Sequence, residues 1–412
     1  MTERLCVYLN GVHAGDLDWD SSLDAFSFRY LPSYLSAEGA LAISQSLPLG
    51  EEAFDPVRSR AFFENLLPPE AVRRKLEKIL HHDRRNTFAF LKELGGDCAG
   101  AISLCPDGTA PDRREDVLRE LTEDEADEVL RSLPSRPLLQ GLVEGYRISV
   151  AGAQDKLVAR ISGKTLALPL YGSASTHLVK PGMPHCPGTV ENECFCQRLA
   201  ERVGLDAAKA SILDVKANAY YVSERYDRVR DGRRVRRLLQ EDFCQAMGVP
   251  PEMKYEEDGG PSAVRCFLFL RDAGLGFPEM TKFVDALAFN FLVGNADAHA
   301  KNFSILHKPG ATTLAPLYDL LSTEAYPNLL SRMAMSIGGV RDFAEVTVGA
   351  FDAFARKCDF NPKFVRSRIA RLSEALPKAM DEVAGELSDT GHPSPVYALV
   401  SAQTRSRIAQ LA

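Results

Sequence analysis

Asp297, Asn302 and Asp319 are the residues whose types and spacing could do chemistry together. The first two stand in Gly294-Asn-Ala-Asp-Ala-His-Ala-Lys-Asn302. There an apolar helix expected over 283–293 gives way to small and polar residues, as at a helix end opening into a loop. Phe303-Ser-Ile-Leu-His, the turn Lys308-Pro-Gly-Ala and Leu314-Ala-Pro-Leu-Tyr follow. A hairpin of that size brings Asp319 back beside Asn302. Phosphoryl transfer needs such a set: one carboxylate to orient a hydroxyl and accept its proton, and an amide with a second carboxylate to hold Mg²⁺ against nucleotide phosphates. Asp-x-x-x-x-Asn is also the spacing of a kinase catalytic loop, and Lys301 could neutralise the transferred phosphoryl. Taken alone, Asp297 and Asn302 read better as caps of local turns. The hairpin and Asp319 turn the balance toward a catalytic and metal site.

A second element lies earlier, in Ile148-Ser-Val-Ala-Gly-Ala-Gln-Asp-Lys-Leu-Val158. A small-residue loop between two strands can lay backbone N–H groups against phosphates with no side chain in the way. With one glycine it is neither a Gly-x-Gly-x-x-Gly loop nor a Walker A sequence, so by itself it reads as an ordinary hairpin. Lys180 ends an expected strand, and the following helix carries Glu191 and Glu193. Kinases set a strand lysine on nucleotide phosphates and pair it with a helix carboxylate; an exposed strand-end lysine is the plainer reading.

The elements that must position these groups fall into three stretches. The first, 1–110, is a small mixed unit with a hairpin at Asn10-Gly11 and an alternating strand over 24–30. Two helices within 62–80 are separated by Pro68-Pro69, and a short helix from 88 is stopped by Gly95-Gly96. Polar, turn-rich 106–116 marks a junction. The second, 111–235, is strand-rich, with antiparallel strands over 157–161, 165–168 and 176–180, a helix over 190–203 and a strand over 219–226. The third, 236–412, is mostly helical apart from one β insert between 303 and 318. The fold class is α+β, with a cleft between the β-rich and helical lobes suited to a ligand.

Composition narrows the function. The chain has 412 residues, 45% of them hydrophobic and 25% charged, which is ordinary for a globular protein of two or three domains. Lys and Arg number 49 against 56 Asp and Glu, and the net charge of −7 weakens a stand-alone nucleic-acid binder. No stretch approaches 18 uninterrupted apolar residues, so no membrane span is expected, and no long apolar run follows the first arginine, so no signal peptide is expected. The nine cysteines are scattered, with Cys194-Phe-Cys196 the nearest approach to a pair. They read as reduced structural thiols of a cytoplasmic protein. The arginine-rich run 225–237 could serve a partner, yet such runs are usually solvated faces. Arg356, Lys357, Arg366, Arg368 and Arg371 likewise read as solvated helix surface.

Over nearly its whole length the sequence resembles the HipA serine/threonine kinases of bacterial type II toxin–antitoxin modules. The motifs, in order, begin with Ser149-Val-Ala-Gly-Ala-Gln-Asp-Lys156, Thr176-His-Leu-Val-Lys180 and Glu224-Arg-Tyr-Asp-Arg228. They continue with Gln240-Glu-Asp-Phe-Cys-Gln245, Lys254-Tyr-Glu-Glu-Asp-Gly-Gly-Pro261, Asn295-Ala-Asp-Ala-His-Ala-Lys-Asn302 and Tyr318-Asp-Leu-Leu-Ser322. The resemblance implies a bilobal protein-kinase-like fold: a HipA-type N-terminal subdomain over 1–110, a β-rich N-lobe with phosphate loop and hinge over 111–235, and a helical C-lobe with the catalytic loop over 236–412. It implies Asp297 as the base and Asn302 and Asp319 as Mg²⁺ ligands. Lys180 would contact the nucleotide phosphates, and Ala151, Gly152, Ala153, Gln154, Asp155 and Lys156 would form the phosphate loop. Glu224, Arg225 and Tyr226 would be the hinge that reads adenine, with the Tyr226 ring as an apolar wall. His299, Ala300, Lys301 and Asn302 would line the nucleotide together with Tyr318, Asp319, Leu320 and Leu321. Ser149 would be the site of inhibitory autophosphorylation, because about two added negative charges beside a phosphate loop oppose its ATP-bound form.

The same resemblance implies ATP and Mg²⁺ as cofactors and transfer of the γ-phosphate to a serine of a cytosolic protein. The acceptor would be an aminoacyl-tRNA synthetase such as the glutamyl enzyme, with translation and growth inhibited. It also implies a helix-turn-helix antitoxin of the HipB type, co-repression of the operon, operator DNA reached only through that complex, and no membrane. Two other readings stand beside it. One is a small-molecule or lipid kinase on the same fold. The other is a non-catalytic DNA-associated co-repressor, against which the intact Asp297, Asn302 and Asp319 speak.

Overall fold

Asn10 (φ 49°) and Gly11 (φ 74°) adopt the left-handed backbone that a two-residue hairpin turn requires. Strands Thr2–Leu9 and Val12–Asp20 pair antiparallel on either side of it. Ala25–Tyr30 and Ile102–Pro106 complete a four-stranded sheet at its two edges. Helices Pro56–Glu64 and Thr87–Leu94 pack on this sheet. Pro69 caps the intervening helix Glu70–Leu80, separating it from the first, and Gly95 closes the last. Phe28, Phe62, Phe63 and Phe90 fill a core of their own here. The computed structural model describes residues 2–111, 116–139, 143–149, 151–152, 154–232, 234–308, 310–329 and 331–412.

The second sheet is six-stranded and antiparallel. Its order is Val117–Glu120, Thr165–Leu170, Leu157–Ser162, His177–Pro181, Asn218–Glu224 and Ala210–Val215. Helix Thr189–Arg202 crosses its last two strands and carries Cys194, Phe195 and Cys196 fully buried. All nine cysteines are free and buried.

The chain then turns helical, so the whole is α+β, β-rich before and helical after. Ala263–Asp272, Phe277–Val293, Val348–Lys357, Pro362–Asp389 and Pro395–Gln410 share the largest core with Thr189–Arg202. Phe277–Val293 starts earlier than expected because Pro278 sits in its first turn, where its fixed φ and missing N–H cost nothing. The helix ends at Gly294 (φ 78°). Leu239–Asp242 pairs with Ser304–Lys308, which pairs with Ala311–Leu314, forming the expected insert. A further ribbon, Arg332–Ile337 with Val340–Asp342, was not expected. Its first strand is buried at every position but the first, so it has no alternation to read.

Arg407 of the last helix reaches back to the end of Phe277–Val293. Its buried guanidinium donates to the Leu292 carbonyl at 3.1 Å, pairs with Glu324 and lies 5.1 Å from the Phe343 ring centre. A Cβ on Gly294 would come within 2.6 Å of it. The Glu324 N–H in turn donates to the Gly294 carbonyl at 3.2 Å. Among the described residues no helix is long and apolar enough to cross a membrane.

Candidate active site

A cleft of about 600 Å³ is bounded by the six-stranded sheet, the helical part and the 65–69 segment of the first unit, a volume typical of small-ligand sites. Asp297, Asn302 and Asp319 all face it. Asn302 donates its amide hydrogen to the Asp297 carbonyl at 2.9 Å, and the Asn295 side chain accepts the Asp297 N–H at 3.1 Å. The loop is thereby closed on itself. Tyr255 donates its hydroxyl to Asp297 Oδ1 at 2.8 Å. Burial pushes the Asp297 pKa up, against the pull of Lys254 and Tyr255.

Asp319 (φ 58°) accepts from Lys180 at 2.6 Å, and Lys180 also donates to Glu193 at 2.6 Å. Of the two helix acids it is Glu193 that turns inward. Burial would raise the Asp319 carboxyl, but Lys180 and Lys156 outweigh it and hold it well below the usual carboxylate range. The Asn302 amide oxygen and Asp319 Oδ2 take no hydrogen bond among the described residues. Amide and carboxylate oxygens with free lone pairs are the hard donors Mg²⁺ selects, so the donor set fits that ion.

The phosphate-loop candidates divide. Ala151, Gly152, Gln154 and Lys156 line the cleft, whereas Ala153 lies outside the described residues. Gly152 holds φ 112°, a backbone conformation that strains any residue with a Cβ, and a Cβ there would also push the Lys156 ammonium aside. Lys156 donates to the Ala151 carbonyl at 2.7 Å. Asp155 turns outward to Lys75 at 3.4 Å. Ser149 is fully buried: its hydroxyl donates to the Leu66 carbonyl at 2.6 Å and its N–H to the Asp97 carbonyl at 3.1 Å.

Only part of the arginine-rich run is a solvated face: Arg230 and Arg236 are exposed, but three of its arginines turn inward. Arg225, Arg228 and Arg237 converge on Asp97, a fully buried carboxylate, at 3.5, 2.9 and 2.9 Å. Asp227 neutralises Arg225 and Arg228 at 2.8 Å each. Burial would raise the Asp97 carboxyl, but the three guanidiniums hold it far below its ordinary value. Arg225 is thus spent on structure, while its N–H donates to the Thr176 carbonyl at 2.9 Å. Glu224 is exposed at the cleft mouth. The Tyr226 hydroxyl bonds Gln240, and its ring lies 5.7 Å from that of Tyr318, so the pair forms an aromatic wall. Tyr318 donates to the Lys301 carbonyl at 2.7 Å. On the long C-terminal helix Arg366 pairs with Asp352, and Arg368 and Arg371 pair with Asp285.

Lys301 is placed differently from what its spacing suggested. Its ammonium donates to Asn65 O at 3.1 Å, Asn65 Oδ1 at 2.6 Å and Asp242 Oδ2 at 2.6 Å, so all three protons are taken. It ties the loop that carries Asp297 and Asn302 to the first unit. Ala300 and Leu320 lie in the helical core and off the cleft wall, while Leu321 and His299 line the cleft. Burial pushes the His299 pKa down to about 3, so its imidazole is neutral, and its Nδ1 has no partner among the described residues. Sequence reasoning missed Asn65, Leu66, Lys254 and Tyr255 as cleft residues. Lys254-Tyr255 stands within a quoted motif, but a separation of 42 residues hides the contact of Tyr255 with Asp297. Elsewhere Cys6, His13 and Asp16 bring three ligand-type atoms within 4.8 Å, with the Arg4 guanidinium already 3.2 Å from Asp16.

Comparison with known proteins places the chain in a family. Residues 148–380 match the model of the HipA-like C-terminal domain, and residues 5–105 that of the HipA N-terminal domain. The Sinorhizobium fredii protein named "Putative kinase Y4mE" is 42% identical over 401 residues, covering 94% of each chain. The serine/threonine-protein kinase toxin HipA of Shewanella oneidensis is 28% identical over 402 residues, 93% of this chain and 89% of its own. A solved complex of Shewanella oneidensis MR-1 HipA with HipB and operator DNA superposes with a TM-score of 0.84 at 27% identity, covering 99% of this chain and 97% of that one.

Proposed function

This chain belongs to the HipA family of kinases, and on that premise we propose that it transfers the γ-phosphate of ATP to a serine hydroxyl of a protein. The observation that carries the reading is Asp297, oriented by Tyr255, facing the same cleft as Asn302, Asp319 and the Lys180–Glu193 pair. Asp297 takes the proton of the attacking hydroxyl as its oxygen bonds to the γ-phosphorus; the bond from that phosphorus to the β–γ bridging oxygen breaks, and ADP leaves with the electron pair. Lys180, held by Glu193, would meet the nucleotide phosphates, and Tyr226 with Tyr318 would wall the adenine. Asn302 Oδ1 and Asp319 Oδ2 would hold Mg²⁺, which when bound neutralises phosphate charge. Kinase activity at this level belongs to the family; protein serine as acceptor rests on the name of the Shewanella relative.

The finer reading follows the same relative. The solved complex with HipB and operator DNA supports a helix-turn-helix antitoxin partner and DNA contact through that partner. Glutamyl-tRNA synthetase is the acceptor to test first. Of the proposed units 1–110, 111–235 and 236–412, the first has a core almost wholly its own, while helix Thr189–Arg202 of the second packs into the core of the third; nine free buried thiols suit a reducing cytoplasm.

The test is incubation of the protein with labelled ATP and Mg²⁺, with and without glutamyl-tRNA synthetase, followed by phosphosite mapping. Label on a serine of the synthetase supports the full reading, and label on Ser149 alone redirects the search for an acceptor. Label on small molecules only, or none at all, overturns protein-kinase activity. A Ser149→Ala variant should lose self-labelling while keeping its initial rate. Because the Ser149 hydroxyl is buried against Leu66, its phosphorylation requires the loop to leave that seat, so phosphorylated protein should bind ATP weakly. Undiminished ATP affinity of the modified protein would remove self-inhibition from the proposal.

A pH dependence also follows. Burial, with Lys180 nearby, pushes the Lys156 pKa down to about 8. Bound phosphates favour its charged form and raise that value, so binding takes up a proton once the free protein has lost it. Nucleotide affinity should therefore be level from pH 7 to about 8 and fall by up to about tenfold per unit above, with no such slope in Lys156→Met. Calorimetric titration between pH 7 and about 9.5 reads this directly.

A further inference from the structure

We propose that Lys254 is the cation that meets the transferred phosphoryl group, and that Tyr255 beside it is a positioning residue for Asp297. This rests on the kinase reading above and deepens it. A phosphoryl in flight spreads charge over its equatorial oxygens, and a preorganised cation on the acceptor side is a large source of rate.

The cations that reach the cleft can be sorted by what already holds them. Lys180 is shared between Glu193 and Asp319. Lys156 bends back onto the Ala151 carbonyl within the phosphate loop. Lys301 has given its three protons to Asn65 and Asp242. Arg225 is locked to Asp97 and Asp227, Arg341 to Glu257 and the Met333 carbonyl, and Arg332 is exposed at the rim. Lys254 is half-buried in the cleft wall and has no carboxylate oxygen within 4 Å among the described residues. Its ammonium lies 4.8 Å from the Tyr255 ring centre, within the fields of Asp297 and Asp319 but bonded to neither. A half-buried ammonium without a counterion, next to the base and the metal-ligand carboxylate, is arranged for an anion that arrives later.

The backbone holds it there. The Lys254 carbonyl accepts the Ala300 N–H at 3.4 Å, directly from the catalytic loop. Tyr255 bonds Asp297, and Glu256 accepts the Ser336 hydroxyl at 2.8 Å. A Cβ on Gly260 would come 1.8 Å from the Met253 carbonyl, so the turn closes only with glycine. Residues on both sides of Lys254 are thus fixed while its ammonium stays unpaired.

Calorimetry tests this with ADP and Mg²⁺, with and without aluminium fluoride as a mimic of the phosphoryl in flight. Lys254→Met should weaken the ADP–fluoride complex by about 100-fold, the scale of losing one preorganised donor, while ADP alone changes by less than about threefold. Lys254→Arg should restore part of the loss. Tyr255→Phe should lower kcat and spare the KM for ATP, with the thermal midpoint unchanged. Equal weakening of both complexes, or of neither, overturns the role of Lys254. A wild-type protein that binds ADP with no gain from fluoride also overturns it and leaves the kinase reading standing. Failure to bind ADP at all overturns the kinase reading and this inference with it.

Discussion

Asp297→Asn should lower phosphate transfer by roughly 10²- to 10⁴-fold, the usual contribution of a positioned base, and leave ATP bound. The amide is isosteric and can still accept the Tyr255 hydroxyl, so the loop keeps its shape. What it loses is the capacity to take a proton. Asp297 is held in a buried place that disfavours its charge, so the neutral variant should be no less stable than the parent. The measurement is kcat and KM together with nucleotide affinity and thermal midpoint. A fall in kcat alone supports the base. A fall in affinity of the same size would assign Asp297 to binding instead.

The second large effect lies away from the reacting atoms. Asp97→Ala should destabilise the protein by about 3–5 kcal/mol, because it leaves buried guanidiniums without their counterion. Asp227 alone cannot neutralise Arg225, Arg228 and Arg237 together. The Asp97 backbone also receives the Ser149 N–H, and its side chain bonds Ser175 at 2.7 Å. Nucleotide affinity should therefore fall with stability. Arg230→Ala, at an exposed position of the same run, should stay within about 0.5 kcal/mol of wild type. Urea unfolding of the two variants side by side is the check, and equal behaviour would refute the buried-counterion account.

The contrast between Asp97 and Asp297 explains what could be read in advance. Asp297, Asn302 and Asp319 lie within one helix end and one hairpin, so local spacing carries their convergence. The Lys180–Glu193 pair spans one strand-to-helix step and was legible for the same reason. Arg225, Arg228 and Arg237 looked solvated because the carboxylate that neutralises them lies at the end of the first unit, 128 positions before Arg225. Lys301 looked catalytic because its partner Asn65 is 236 residues away. Arg332–Ile337 escaped notice because a strand buried on both faces has no period to detect. Fold class was legible from turn residues and periodicity, which are local. The cleft wall formed by Lys254 and Tyr255 was not, because Tyr255 meets Asp297 from 42 residues away.

Arg407 adds a consequence in the order of synthesis. Chains grow at about 5–20 residues per second, so roughly five to twenty seconds separate the making of Asp297 from that of Arg407. Until then the Leu292 carbonyl and Glu324 lack the guanidinium that joins them at the root of the catalytic loop. A ribosome-bound chain thus carries Asp297, Asn302 and Asp319 before it carries this brace. The contacts around Gly294 are therefore completed only when the last helix has left the exit tunnel and docked, which makes that docking a closing step in the assembly of the cleft.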